Sequence, residues 1–354
     1  MAEASSKIEI GGDTSSTNNR HMKFISLVTL TFQKALLGLS MRYSRTRSGD
    51  MFFAGTAVLM AEVVKLVTCL FLVYRSPNEG GSDVKKLCAI LHKHIIANKL
   101  DTMKVCVLSL IYLIQNNLLY TSAENLDAAT DQITNQLKII TTAIFSVLIL
   151  KRTLLSTQWL SLIILVIGVV LVQLSGSEET ITVDQGEART QNRLLGFSAG
   201  LTACVLSGLG GVYFEKILKG SSDISVWMRN IQLSLLSIPL GICACFVEHF
   251  EGIQKDGFFF GYDLFVLFLI LLNALGGLLV AMVVKYADAI LKGFATSLAI
   301  IITGIVSVFV FGLVISLQFV VGAALVLCSI SIYGYTPTSL NFELPTTTKY
   351  LTKN

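Results

Sequence analysis

One lysine in this chain is placed where structure alone gives it little to do. Lys138 lies 11 positions after Asp127, flanked by Leu137, Ile139 and Ile140. At 1.5 Å per residue that is about 16 Å along a helix. An ammonium so deep in an apolar run cannot easily extend to water, so it pairs with an acid or meets a charged ligand. Asp131 is two turns back on the same face, far for direct pairing. A ligand-facing lysine is the favoured reading. Lys292, in LKGFATS, begins another apolar run. From its position alone, snorkelling to the surface and ligand contact both stay open. Gly293 beside it would let backbone approach a ligand closely.

Other polar residues interrupt the apolar runs. Glu62 and Lys65 share a helix face at i and i+3 and could neutralise one another, as a structural or gating ion pair or as a binding pair. Lys34 reads similarly. Gln115, Asn116 and Asn117 are consecutive. They cannot all face one way, so at least one serves helix packing while others are free to bond a base or a sugar. Asn230, with Ser234 and Ser237 at i+4 and i+7, makes a polar stripe that suits a ligand or a neighbouring helix. Arg229 and the Glu215–Lys216 pair lie near run ends and read as interfacial. Two buried lysines with amides and hydroxyls describe an anionic, phosphorylated ligand with a polyhydroxylated or heterocyclic body. No G-x-x-x-x-G-K-[ST] and no H-E-x-x-H occurs. Neither ATP hydrolysis nor a catalytic or structural metal is expected, and no cofactor is called for. The four histidines lie in a tail, loops or a run end, which leaves acid–base catalysis little to work with.

The elements that must position these residues are transmembrane helices. The chain has 354 residues, of which 53% are hydrophobic and only 14% charged, with a mean hydropathy of +0.70. A soluble domain carries about 25% charged residues. A net charge of +4 is too small and scattered for nucleic-acid binding. Runs of about 20 apolar residues fall at 23–41, 52–74, 105–122, 127–150, 155–174, 194–215, 224–247, 262–284, 289–311 and 315–335. Residues 1–22 and 337–354 read as disordered tails. No cleavable signal peptide is expected. Residues 175–193, rich in Gly, Ser, Glu and Thr, read as a linker. The first five spans, 23–174, and the last five, 194–336, form two halves. With a cytosolic N-terminus, cytosolic loops hold twelve Lys and Arg and the opposite loops six. The excess predicts both termini in the cytosol and the linker on the far side.

The halves are related. Residues 127–147 placed over 288–308 match at nine of 21 positions, including Asp127 with Asp288, Thr142 with Thr303 and Ser146 with Ser307. Each half has an odd number of spans, so the second must be inverted relative to the first. Inverted repeats mark alternating-access transporters with a midplane site at the repeat interface. Small residues every four positions (Ala203, Ser207 and Gly211; Gly277 and Ala281) read as helix-packing positions.

MRYSRT, AEVVKL, QNNLLY, NLDAAT, QLKI, GVYFEKILK, SVWMRNIQL, GGLLVA, KYAD, LKGFATSL and YGY together resemble the Golgi nucleotide-sugar transporters. Within them they are most similar to the UDP-galactose and UDP-N-acetylglucosamine group, over residues 22–336. The resemblance implies an all-α membrane protein of the drug/metabolite-transporter fold. It implies a Golgi-membrane location and antiport of a cytosolic nucleotide sugar for a lumenal nucleoside monophosphate, here a UDP-sugar for UMP. UDP-galactose comes first, then the UDP-N-acetylhexosamines. It places Lys138 and Lys292 at the phosphates, Gln115 and Asn116 near the nucleoside and phosphate, Asn230 at the ligand, and Glu62 and Lys65 at the cavity and its gating.

One departure stands out. The family pattern YQVTYQLKI is here DQITNQLKI, so Asp131 and Asn135 replace two tyrosines on the Lys138 face. Two stacking rings are lost, and a carboxylate would repel a diphosphate unless protonated or paired. A protonated Asp131 would instead offer a sugar hydroxyl a hydrogen bond. The departure is compatible with altered specificity or with a non-transporting membrane subunit that binds glycosyltransferases. A broader metabolite exporter of the same fold is the rival reading within that fold, and an intramembrane enzyme ranks third because no catalytic constellation is visible. A homo-oligomer is equally compatible with the sequence.

Overall fold

The computed structural model describes the backbone of residues 2–46, 52–76, 83–175, 192–220, 224–311 and 315–335. Most of the expected linker and the C-terminal tail lie outside the described residues. The described elements are helices: α1 (Ala2–Thr46), α2 (Ala54–Arg75), α3 (Val84–Leu91), a π-helical turn (His92–Ala97), α4 (Lys99–Asn125), α5 (Ala128–Leu150), α6 (Ser156–Ser175), α7 (Arg193–Gly220), α8 (Val226–Asp256), α9 (Leu264–Tyr286), α10 (Ala289–Phe311) and α11 (Leu317–Gly334). All but α3 contain a stretch long and apolar enough to cross a membrane, which gives ten candidate spans. The helical backbone of α1 continues through residues 2–22, the stretch read from sequence as a tail. Extending a helix already nucleated costs far less than starting one.

The two aspartates matched by the repeat do the same local work. Asp127 caps α5 by accepting the Thr130 N–H at 3.0 Å. Asp288 precedes α10 and accepts the Leu291 N–H at 2.7 Å. A side-chain oxygen here satisfies one of the N–H groups a helix start leaves free. The Thr130 N–H and hydroxyl also hold the Asp127 carboxyl below the usual carboxylate range. That cap therefore stays ionised at neutral pH, and its contribution is lost only as pH falls through the lowered value.

Packing partners follow a pattern that maps onto itself when the halves are exchanged. α1 lies against α9 and α10, while α7 lies against α4 and α5; α2 pairs with α8, and α6 with α11. A threonine spans each of two corresponding contacts: Thr303 Oγ1 of α10 donates to Ala35 O of α1 at 3.3 Å, and Thr141 Oγ1 of α5 donates to Cys204 O of α7 at 2.8 Å, one position from the sequence-matched Thr142. The matched serines, Ser146 and Ser307, are both buried with no hydrogen-bond partner for the hydroxyl.

α6 and α11 cross where two glycines touch. A Cβ at Gly168 would sit 2.9 Å from Gly322 O, and a Cβ at Gly322 would sit 2.7 Å from Gly168 O. The obstacle is backbone on each side, so no side chain can rotate away. Gly168→Ala is expected to lower the thermal midpoint of the purified protein by the equivalent of ~1–3 kcal/mol, the usual cost of overpacking. An unchanged midpoint would mean the crossing is looser than these distances.

Candidate functional site

The cavity follows α5. A wider lobe of about 670 Å³ is lined by Asn116, Tyr120, Asp131 and Asn135, with Gly241 and Cys245 of α8 opposite. A narrower lobe of about 290 Å³ is lined by Lys34, Thr142, Ser207, Lys292, Thr296 and Ser297. Gln136, Lys138 and Gln173 line both. Gln136 Nε2 donates to Gln173 Oε1 at 2.7 Å and ties α5 to α6 at the join. From Asp131 to Arg152, just past the end of α5, the chain advances about 32 Å. The order along it is wide lobe, join, narrow lobe, then an ion cluster.

That cluster joins the chain just past α5 to the start of α10. Glu215, fully buried, accepts Arg152 Nη2 at 2.5 Å and Lys219 Nζ at 2.7 Å. Its second oxygen accepts the Ala289 N–H at 2.9 Å, at the start of α10. Arg152 Nη1 also meets Asp288 at 3.1 Å. The expected interfacial role of Glu215 does not hold. Burial has made it the hub that joins the end of α7 to the start of α10. Arg229 is not interfacial either. It is 2% exposed and pairs through both terminal nitrogens with Asp101 of α4. α4 begins at Lys99, earlier than the expected 105, and so brings Asp101 within reach.

Three lysines share the narrow lobe, one each from α1, α5 and α10. Among the described residues, no carboxylate forms an ion pair with Lys34, Lys138 or Lys292. Lys138 is deep along its helix yet open to the cavity. A Cβ at Gly211 of α7 would come 3.8 Å from Lys292 Nζ, an ordinary contact distance that places the ammonium beside α7. Three lysines without an ion-pair partner, in a lobe also lined by Gln136, Gln173, Thr142, Ser207, Thr296 and Ser297, make a place where an anion could be held. Charge attraction gains strength as water is excluded, and lysine serves as a point charge for phosphate.

The remaining expected residues divide. Asn116, Asp131 and Asn135 line the wide lobe. Asp131 is held by Ser122 Oγ at 2.6 Å and Asn135 Nδ2 at 3.0 Å. Gln115 lines neither lobe, and its buried Oε1 has no hydrogen-bond partner. Asn230 is buried and donates to its own helix at Val226 O. Ser234 donates to Glu62 at 3.2 Å, and Glu62 pairs with Lys65 at 2.7 Å. These three make a polar clasp between α2 and α8 rather than cavity wall. Ser207, read as a packing residue, lines the cavity, whereas the tight helix contact is at the neighbouring Gly208. Lys34, Gln136, Gln173, Thr296 and Ser297 were not singled out as site residues. For Lys34 the signal was present: a lone lysine at mid-span with no acid at i±3 or i±4.

Ten candidate spans around a cavity lined by three lysines describe a multi-span membrane protein. Among the described residues, no cluster of metal-ligating side chains occurs. A profile of the nucleotide-sugar transporter family matches residues 18–334. The UDP-galactose translocator of Bos taurus is 48% identical over 323 residues, 91% of this chain and 80% of the relative. The UDP-N-acetylglucosamine transporter of Mus musculus is 45% identical over 320 residues, 90% of this chain and 96% of the relative. A solved crystal structure superposes with a TM-score of 0.57 at 11% identity, across 87% of this chain and 96% of that one, a likeness of fold alone. The chain belongs to the nucleotide-sugar transporter family. It is a multi-pass membrane carrier and not an enzyme.

Proposed function

We propose that this carrier exchanges a UDP-sugar for UMP across the Golgi membrane, with both termini cytosolic. UDP-galactose is the leading substrate and UDP-N-acetylglucosamine the next, following the relatives' names. The observation that carries the reading is the trio of lysines lining one lobe, each without an ion-pair partner, with Lys34 and Lys138 in mid-span and Lys292 in the first turn of α10. Lys138 and Lys292 hold the phosphates. Asn116 and the Asp131–Asn135 pair face the nucleoside in the wide lobe. Glu62, Lys65 and Ser234 hold α2 to α8 and act on the cavity at second hand.

Alternating access follows if the halves are inverted repeats that rock about the cavity. The exchange-symmetric packing and the matched Asp127 and Asp288 caps support that arrangement. In the state described, the Glu215 cluster lies at the end where α5 finishes and α10 begins. By the loop-charge count that end is cytosolic, so the wide lobe faces the lumen. Strict exchange follows if the empty cavity, with three ammoniums unneutralised, reorients slowly.

Counterflow tests this. Proteoliposomes loaded with UMP are expected to take up labelled UDP-galactose or UDP-N-acetylglucosamine, and empty vesicles are not. Uptake of no UDP-sugar by well-folded protein overturns the reading. It would favour the non-transporting subunit suggested by Asp131 and Asn135.

A further inference from the structure

Two phosphates need two cations, and this lobe has three. Lys34 lies 14 residues from Arg20 and 10 from Ser44, the ends of its span. Those separations are about 21 and 15 Å along the helix, too far for the ammonium to reach either surface. Its neighbours fix its direction. Gln33 is buried and donates to Leu272 O of α9 at 2.9 Å. Ala35 is buried, and its carbonyl accepts Thr303 Oγ1 of α10 at 3.3 Å. With these contacts locked, Lys34 lines the narrow lobe beside Lys138 and Lys292.

A charge inside a membrane span without a partner is retained at a cost. A cluster of three repels itself as well. With all three lysines protonated, three negative charges on a ligand would balance the lobe. A UDP-hexose brings two, both on its diphosphate. A UDP-hexuronate brings a third, the carboxylate on C6 of the sugar. The cavity also sets which end of such a ligand goes where. Asp131 stands in the wide lobe, away from Lys34, and would repel a second carboxylate there. The nucleoside belongs beside Asp131 and Asn116, and the acidic sugar beside Lys34.

We propose that Lys34 is a specificity-determining residue, and that its third ammonium in the narrow lobe selects nucleotide sugars whose sugar carries a carboxylate. The proposal rests on reading the cavity as a nucleotide-sugar site and deepens that reading. It does not require that neutral UDP-sugars be excluded, since Lys138 and Lys292 suffice for the diphosphate.

The matched pair UDP-galactose and UDP-galacturonate differs only at C6, and displacement of labelled UMP from the purified full-length protein compares the two. The wild type is expected to bind UDP-galacturonate at least about tenfold more tightly, the factor corresponding to about 1.4 kcal/mol. Lys34→Gln is expected to erase that preference, so that the two sugars bind alike. Lys34→Arg keeps the charge and is expected to keep the preference, which guards against a fold defect in the glutamine variant. Equal binding of the two sugars by the wild type overturns the proposal, and so does a preference that survives Lys34→Gln. Both results leave UDP-sugar binding intact. If neither sugar displaces UMP, or UMP does not bind, the nucleotide-sugar reading of this chain fails and takes the proposal with it.

Discussion

Lys138→Met is expected to abolish exchange while leaving the empty protein at least as stable as the wild type. The two effects have opposite signs because they come from one charge. In the empty cavity the Lys138 ammonium has no carboxylate partner and shares its lobe with Lys34 and Lys292. Methionine fills a similar volume without the charge, so self-repulsion falls and no hydrogen-bond partner is orphaned. With a nucleotide sugar bound, the same change leaves a desolvated phosphate short of a cation. Truncating one member of a buried charge pair costs ~2–5 kcal/mol. That corresponds to uptake reduced by roughly 30-fold to several thousandfold at subsaturating substrate. Two measurements on one preparation check it: counterflow of UDP-galactose into UMP-loaded vesicles, and the thermal midpoint with and without UMP. The midpoint without UMP should hold or rise, and the shift produced by UMP should vanish. Unchanged uptake would remove Lys138 from the phosphate site. A fall in the ligand-free midpoint would make it a structural lysine with an acceptor of its own.

Depth was the property of the site most legible in the sequence. Lys138 stood out because distance from the helix start is simple counting, and a charge at that depth has few explanations. The ten spans were legible for the same reason, since apolar length is a one-dimensional quantity. Facing was not. Gln115 and Asn116 are adjacent and chemically alike, yet only Asn116 lines the cavity. Consecutive positions on a helix point about 100° apart, and the packing of α4 against α7 and α8 decides which one turns inward. Lys34 has no acid at i±3 or i±4, but only the way α1 rests on α9 and α10 shows that no acid of another helix pairs with it. Arg229 and Glu215 sat near span ends, where a surface role is the ordinary expectation. Their carboxylate and guanidinium partners lie 128 and 63 positions away, and no local pattern could join them. The matched aspartates were visible as an identity between residues 127–147 and 288–308, but their meaning as helix caps needed backbone geometry.

Glu215→Gln is expected to cost more stability than any surface ion pair would and to weaken sugar binding from a distance. Glu215 has no exposed surface and gathers three donors from separate elements: Arg152 after α5, Lys219 of α7 and the Ala289 N–H of α10. The neutral amide cannot serve all three, because its nitrogen end is a donor. Breaking a buried pair from one side costs ~3–5 kcal/mol, against ~0–1 kcal/mol for an exposed one. Arg152 is partly exposed and retains Asp288 at 3.1 Å, which places the expected loss toward the lower figure. The consequence for function runs through α10. Ala289 and Lys292 are separated by less than one turn, so loosening the first residue of the helix displaces the ammonium that faces the phosphates. The Michaelis constant for the UDP-sugar should rise, and the thermal midpoint should fall. Arg152→Gln in the same chain then separates the two causes. If the cluster acts as a unit, the double variant will lose less than the sum of the single losses, with a coupling of ~0.5–3 kcal/mol. Strictly additive losses would mean that Glu215 holds α10 through the Ala289 N–H alone. A Glu215→Gln variant as stable as the wild type would remove the cluster as the join to the start of α10.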